Sequence, residues 1–177
     1  MEVEVEEENL NMYLPKASKA NKRATFRLYH FQRKLMEMSI DELDHFLRHG
    51  TFTGKIATIR ADGRPHIAPV WFVLDDDTKD IVFTTTHASL KAKNILRDNR
   101  VSISVDDQTP LYSFVIIEGI AEISAQPEEL LKWATKIAER YMGRNNAELY
   151  GKRNSGKGEL LIRVKPSKIF GQKDIAR

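Results

Sequence analysis

Lys55-Ile56-Ala57-Thr58-Ile59-Arg60-Ala61-Asp62-Gly63-Arg64-Pro65-His66-Ile67-Ala68-Pro69-Val70-Trp71-Phe72-Val73-Leu74 reads as two strands about a tight turn. Lys55 to Arg60 is rich in β-branched residues and predicts a short strand. Asp62-Gly63 tolerates positive φ, so Ala61–Gly63 predicts a hairpin turn and an antiparallel return. His66 to Leu74 predicts the returning strand. Ile67, Val70, Trp71, Phe72 and Val73 put apolar groups on both of its faces, the pattern of a central strand. Pro69 cannot donate to a ladder, so it marks an edge or a break. A break beside Trp71 would leave backbone groups free for a planar heterocycle. The plainer reading places Trp71 and Phe72 in the core.

Further strands follow. Ile81 to Thr85 runs into a helix from about Leu90 to Arg97. Val101 to Val105 alternates in the β manner. Tyr112 to Ser124 is long, and Gly119 inside it suggests a bulge or bend. Glu159 to Val164 is the last long strand, with Lys168 to Gly171 as a possible extension of the sheet. Between these strands, Pro127 opens a helix whose buried face is Leu130, Ala134, Ile137 and Tyr141, and Gly143 ends it. Residues 145–158 form a polar connector with weak helical character. The sum is six or seven strands, mostly hairpin-connected, with short helices at the ends. That is a mainly β fold, a closed or nearly closed antiparallel barrel.

Upstream, Ser39-Ile40-Asp41-Glu42 has the form of a capping box. Ile40, Leu43, Phe46 and Leu47 give the helix one apolar face, and Gly50 stops it. The globular domain is expected over 39–177. Residues 1–38 form an extension, partly disordered, with one amphipathic helix on the stripe Leu28, Phe31, Leu35 and Met38.

The chain has 177 residues, 41% hydrophobic and 30% charged, with a net charge of +3. No apolar run approaches the roughly 18 residues that span a bilayer. The acidic residues at 2–8 suit neither a signal nor a transit peptide. There is no cysteine, hence no disulfide, thiolate nucleophile or zinc–sulfur site. A cytoplasmic home is the default. Basic residues from Lys16 to Lys34 sit behind an acidic head, which suits a solvated tail better than a nucleic-acid or membrane surface. His45 and His49 have the spacing of a metal pair but no third ligand, so they are read as a polar face. No acid–base pair stands out, and no catalytic side chain is assigned.

Phe83-Thr84-Thr85-Thr86-His87-Ala88-Ser89-Leu90-Lys91-Ala92-Lys93-Asn94-Ile95-Leu96-Arg97 carries the clearest chemistry. Threonine hydroxyls, a helix N-terminus capped by Ser89, and the ammonium groups of Lys91 and Lys93 meet there. Such a meeting suits a phosphate. A capped surface helix with solvated lysines is the plainer alternative.

Four stretches, taken together, resemble the FMN-binding split-barrel superfamily, which includes pyridoxamine-phosphate oxidase and the flavin/deazaflavin oxidoreductases. They are Ala57–His66, Ala68–Val73, Lys91–Ser102 and Val115–Ala121. The resemblance implies a split β-barrel of Greek-key type. It also implies a homodimer with cofactors at the subunit interface and a small-molecule substrate. It implies that Lys91, with Thr84, Thr85, Ser89 and nearby Lys93, holds the cofactor phosphate. The ring would lie along Pro69, Val70 and Trp71, and Tyr112 and Phe114 would reach over from the partner subunit. Pyridoxamine-phosphate oxidases have arginine where Pro69 stands, and an Arg-Lys pair where Leu90-Lys91 stands. They also carry a C-terminal Arg and His motif that Gln172-Lys173-Asp174-Ile175 does not match. The Ala68-Pro69-Val70-Trp71-Phe72 form and the helix Lys91-Ala92-Lys93-Asn94-Ile95-Leu96-Arg97 resemble more closely the branch that uses coenzyme F420, with FMN as the alternative cofactor. In that branch hydride passes from reduced F420 to an unsaturated organic substrate. An FMN-dependent reductase and a non-catalytic flavin or F420 carrier are the alternative readings.

Overall fold

The computed structural model describes residues 36–176. The stripe from Leu28 to Leu35 and the acidic head therefore lie outside the described residues. Helix α1 (Ile40–Arg48) starts at the expected capping box: Glu42 N donates to Ser39 Oγ (3.3 Å), and Ser39 N donates to the Glu42 carboxylate (2.9 Å). Strands β1 (Gly54–Ile59) and β2 (Pro65–Val70) form the hairpin. Gly63 has φ 81°, and Arg60 N donates to Arg64 O across the turn (2.9 Å). Next come β3 (Val73–Leu74), β4 (Ile81–Thr86), α2 (Leu90–Arg97), β5 (Arg100–Asp107) and β6 (Ser113–Ser124). The chain ends with α3 (Pro127–Met142), a 3-10 turn (Arg144–Asn146), α4 (Ala147–Arg153) and β7 (Glu159–Gln172).

The seven strands of the described residues pair antiparallel in one sheet of order β2-β1-β5-β6-β7-β4-β3. The two outer strands, β2 and β3, are consecutive in the chain and separated only by Trp71 and Phe72. The sheet therefore curls until its two edges meet at a covalent seam rather than a ladder. This is a split barrel, with short helices outside.

Along β1, β5 and the middle of β6 every second residue is buried, as the two-residue strand period requires. Ile56, Phe83, Ile103, Val105, Val115, Ile117, Ile162 and Val164 fill the interior with Phe72 from the seam. A smaller cluster of Val82, Leu130, Trp133 and Leu161 seats α3 on the outer face. Trp133, absent from the face predicted for this helix, is 4% exposed. Arg163 lies against its ring (5.1 Å) and ties the elements together. Its guanidinium donates to Asp75 (2.6 Å) and Glu129 (3.2 Å), linking β7 to the β3–β4 turn and to α3.

Two expectations need correction. His66–Leu74 is not one strand but two, broken at Trp71–Phe72. Nor is β2 central: it is an edge strand, and Ile67 is 67% exposed. Its apolar content misled because an edge strand's second face need not be covered within the chain. Pro69 is tolerated there, opposite Lys55 on the only neighbouring strand. No helix of the described residues is long and apolar enough to cross a membrane.

Strands β6 and β7 shift register between Glu118 and Gly119, where the lone glycine suggested a bulge. A Cβ at Gly119 would collide with Lys165 O and come within 2.9 Å of Val164 Cγ1. Gly119→Ala is expected to cost about 1–3 kcal/mol of stability through overpacking. Gly156→Ala, whose new Cβ would have no neighbour nearer than 3.7 Å, should change little. Urea unfolding of the two variants checks the contrast.

Candidate functional site

The seam is held from outside by the last turn of α3. Arg140 donates to three backbone carbonyls: Gly50 O (3.0 Å), Phe72 O (3.0 Å) and His49 O (3.3 Å). Tyr141 OH donates to Phe52 O (2.7 Å) and accepts from Phe72 N (3.2 Å). Both backbone groups of Phe72 are thus used by α3. The expected free backbone at this break is not found at Phe72, because a sheet that ends there must satisfy its polar groups elsewhere. Burial holds the Arg140 guanidinium below its ordinary value and pushes the Tyr141 phenol up. Trp71 stacks on Tyr141 with ring centres 4.9 Å apart and planes 3° from parallel. It keeps 38% of its surface exposed. Val70 is buried and Pro69 exposed, so the seam offers solvent a flat aromatic edge flanked by proline.

The second group forms where β4 runs into α2. Ser89 caps the helix, accepting from Ala92 N (3.2 Å), and its hydroxyl lies 3.1 Å from Thr85 Oγ1. Successive strand residues face opposite ways. Thr85 follows Phe83 toward the interior, while Thr84 and Thr86 share the outer face with their cross-strand partners Leu161 and Glu159. Thr84 and Thr85 thus stand on opposite faces of β4, and of the two only Thr85 bonds Ser89. The Lys91 side chain is half-buried and makes no ion pair with a described residue. Burial lowers its pKa, with the Glu159 carboxylate opposing that shift. Lys93 is exposed. The helix is fixed to the barrel by buried Asn94, which donates to Thr58 Oγ1 (3.0 Å), and by Arg97, which donates to Ile59 O. The first-turn N–H groups therefore point from a rigid mount.

Tyr112 and Phe114 lie elsewhere. Tyr112 has φ 61° and is 43% exposed. Its carbonyl accepts from Ile175 N (3.1 Å), and Leu111 O accepts from Ala176 N (3.1 Å). Phe114 packs edge-on against Phe170. Phe114 pairs with Gln172 and Thr86 with Glu159, at opposite ends of β7. At about 3.3 Å per residue, those ends are roughly 40 Å apart along the strand. One chain holds the aromatic pair and the Lys91 cradle at the two ends of its longest strand.

Arg140, Glu159 and Asn94 were not singled out by sequence. Tyr141 was read only as part of a buried face. Nothing local marks them, since each acts on a backbone or side chain distant in the chain. A chemical hint existed for Arg140 alone, a cation beside the apolar face of α3.

The curled sheet and its seam define a split barrel, and comparison with known proteins gives the family. The sequence profile described as pyridoxamine 5'-phosphate oxidase matches residues 39–173. The chain belongs to the pyridoxamine 5'-phosphate oxidase family. It is 33% identical over 75 residues to a 5a,11a-dehydrotetracycline/5a,11a-dehydrooxytetracycline reductase of Streptomyces rimosus. That match covers 39% of this chain and 53% of the relative, so the chain spans about half the length of the curated relative. Among solved structures, it resembles a conserved hypothetical protein of Mycobacterium tuberculosis, with TM-score 0.67 and 29% identity over 77% of this chain and 86% of that one. It also resembles an F420 reductase, with TM-score 0.57 and 26% identity over 71% of this chain and 94% of that one.

Tyr141→Phe removes one hydroxyl and leaves Phe72 N–H and Phe52 C=O without their partner. The variant is expected to lose about 1–3 kcal/mol of stability, as for buried groups left unsatisfied. Chemical denaturation followed by circular dichroism measures it.

Proposed function

We propose that this chain is an F420-dependent oxidoreductase that transfers hydride from reduced F420 to an unsaturated small organic substrate. The observation that carries the proposal is the cradle where β4 meets α2. Lys91 is half-buried without an ion pair among the described residues, beside a capped helix N-terminus. A desolvated cation next to unpaired N–H donors is stabilised by an incoming anion. The residues present therefore fit a phosphate-bearing cofactor. Likeness to an F420 reductase and to a reductase of dehydrotetracyclines supports the cofactor and the reaction type.

When bound, the deazaflavin supplies the hydride; the chain supplies binding and orientation. Lys91 and Ser89 anchor the phosphate end. Trp71, fixed by its stack on Tyr141, offers a flat wall for the ring together with Pro69 and Val70. We further propose a homodimer, in which Tyr112 and Phe114 of one protomer complete the site of the other. The span of β7 supports this, since within one chain it holds them far from Lys91.

FMN in the same seat is the second reading, favoured by the family to which the chain belongs. Pyridoxamine-phosphate oxidation itself is disfavoured by Pro69 and Leu90, and by a C-terminal end whose Lys173 is paired with Glu42.

Anaerobic fluorescence titration with each cofactor decides between them. F420 is expected to bind more tightly than FMN; the reverse order contradicts the first reading. Lys91→Ala is expected to weaken F420 binding by about 2 kcal/mol, roughly 30-fold, as for a lost charged hydrogen bond. Unchanged affinity would remove the phosphate from this helix. The pH dependence has a definite sign. Lys91 is charged below its pKa, and burial lowers that pKa from 10.5. Affinity should therefore be full at low pH and fall as pH rises, starting at lower pH than an ordinary lysine would give. Titration of cofactor affinity between neutral and alkaline pH, in the wild type and in Lys91→Ala, measures it, and the fall should be absent from the variant.

A further inference from the structure

We infer that Glu159 sets the charge of the phosphate seat, so that the seat prefers a singly charged phosphodiester to a doubly charged phosphate monoester. The inference rests on the reading of Lys91 as the phosphate ligand. Glu159 opens β7 directly opposite Thr86, so the two side chains lie on the same face of the sheet. That face also carries Thr84, and Lys91 follows Thr86 by one turn and the first residues of α2. Glu159 is held in place by its backbone: its N–H donates to Gly156 O (3.0 Å). The preceding residue is pinned as well, because Gly158 O accepts from both His87 N (2.8 Å) and His87 Nδ1 (2.9 Å).

The charged and titratable groups acting on Glu159 are Lys91 from α2 and His87 from the turn before it. Burial raises the Glu159 pKa, and Lys91 and His87 oppose the rise, in keeping with a carboxylate partly withdrawn from water. The count at the seat is then one ammonium, one carboxylate and roughly half a positive charge from the helix N-terminus. A monoanion comes within about half a charge of balancing that sum. A dianion overshoots it and faces a carboxylate that water screens poorly.

This difference separates the two cofactor chemistries. F420 carries its phosphate as a diester with one charge. FMN carries a monoester whose second ionisation lies near pH 6, so it is doubly charged at pH 8. Glu159 thus discriminates by charge at the phosphate, independently of anything the ring contacts.

The test is anaerobic titration of the full chain and its Glu159→Gln variant with FMN and with F420, at pH 8 and low salt. Glutamine keeps the shape and removes the charge. FMN, with two phosphate charges, is expected to bind about tenfold more tightly to the variant, and F420, with one, about threefold, because the repulsion scales with the charge. An unchanged ratio of the two affinities overturns the inference. Lys91→Ala run beside it keeps the two failures apart. If Lys91→Ala weakens both cofactors and Glu159→Gln leaves their ratio unchanged, the charge-setting role alone is wrong. If Lys91→Ala leaves both affinities unchanged, the seat is wrong and the inference falls with it.

Discussion

A sheet whose first and last strands are neighbours in sequence must close on the two residues between them, and here those residues are Trp71 and Phe72. No ladder can satisfy the backbone at such a point, so the hydrogen bonds must come from outside the sheet. Arg140 and Tyr141 supply them from one turn of α3. The Phe72 side chain is fully buried inside while its N–H and C=O are held from outside. Trp71, beside it on the seam, stacks on Tyr141, the same residue that accepts from Phe72 N. The proposed ring wall is thus a by-product of closing the barrel.

The cradle depends on the same economy of contacts. Asn94 is buried and bonds Thr58 on β1, and Arg97 reaches Ile59 O on the same strand. These anchors hold α2 with its N-terminus level with the end of β4, where Ser89 meets Thr85. On that helix start the Lys91 side chain is half-buried and has lost part of its hydration. Its lowered pKa is the electrostatic record of that confinement. Confinement disfavours the charged lysine in the free protein and makes the same position more responsive to an anion, which is how a binding site differs from a solvated surface.

Much of the fold was legible from local chemistry. The capping box at Ser39, the Asp62-Gly63 turn, the bulge at Gly119, the Ser89 cap and the Gly143 stop each follow from what one or two residues can do conformationally. The place of β2 in the sheet was not legible, because apolar content on both faces of a short strand does not distinguish a buried centre from an uncovered edge. The break at Trp71 was half legible: Pro69 signalled it, but the partners of the broken backbone lie about seventy positions along the chain, on α3. The facing of Thr84 and Thr85 follows from strand geometry once the strand is known. Glu159 gave no signal at all, since its importance comes only from the register that sets it opposite Thr86.

The central claim is that a phosphate-bearing deazaflavin is anchored at Lys91 of one protomer and completed by the aromatic pair of another. A crystal structure of the protein with F420 tests it most directly. The account predicts the F420 phosphate within hydrogen-bond reach of Lys91 Nζ, its ring along Trp71, and Tyr112 of the partner subunit over the same cofactor. A phosphate bound away from α2, or a cofactor enclosed by one chain alone, would contradict it.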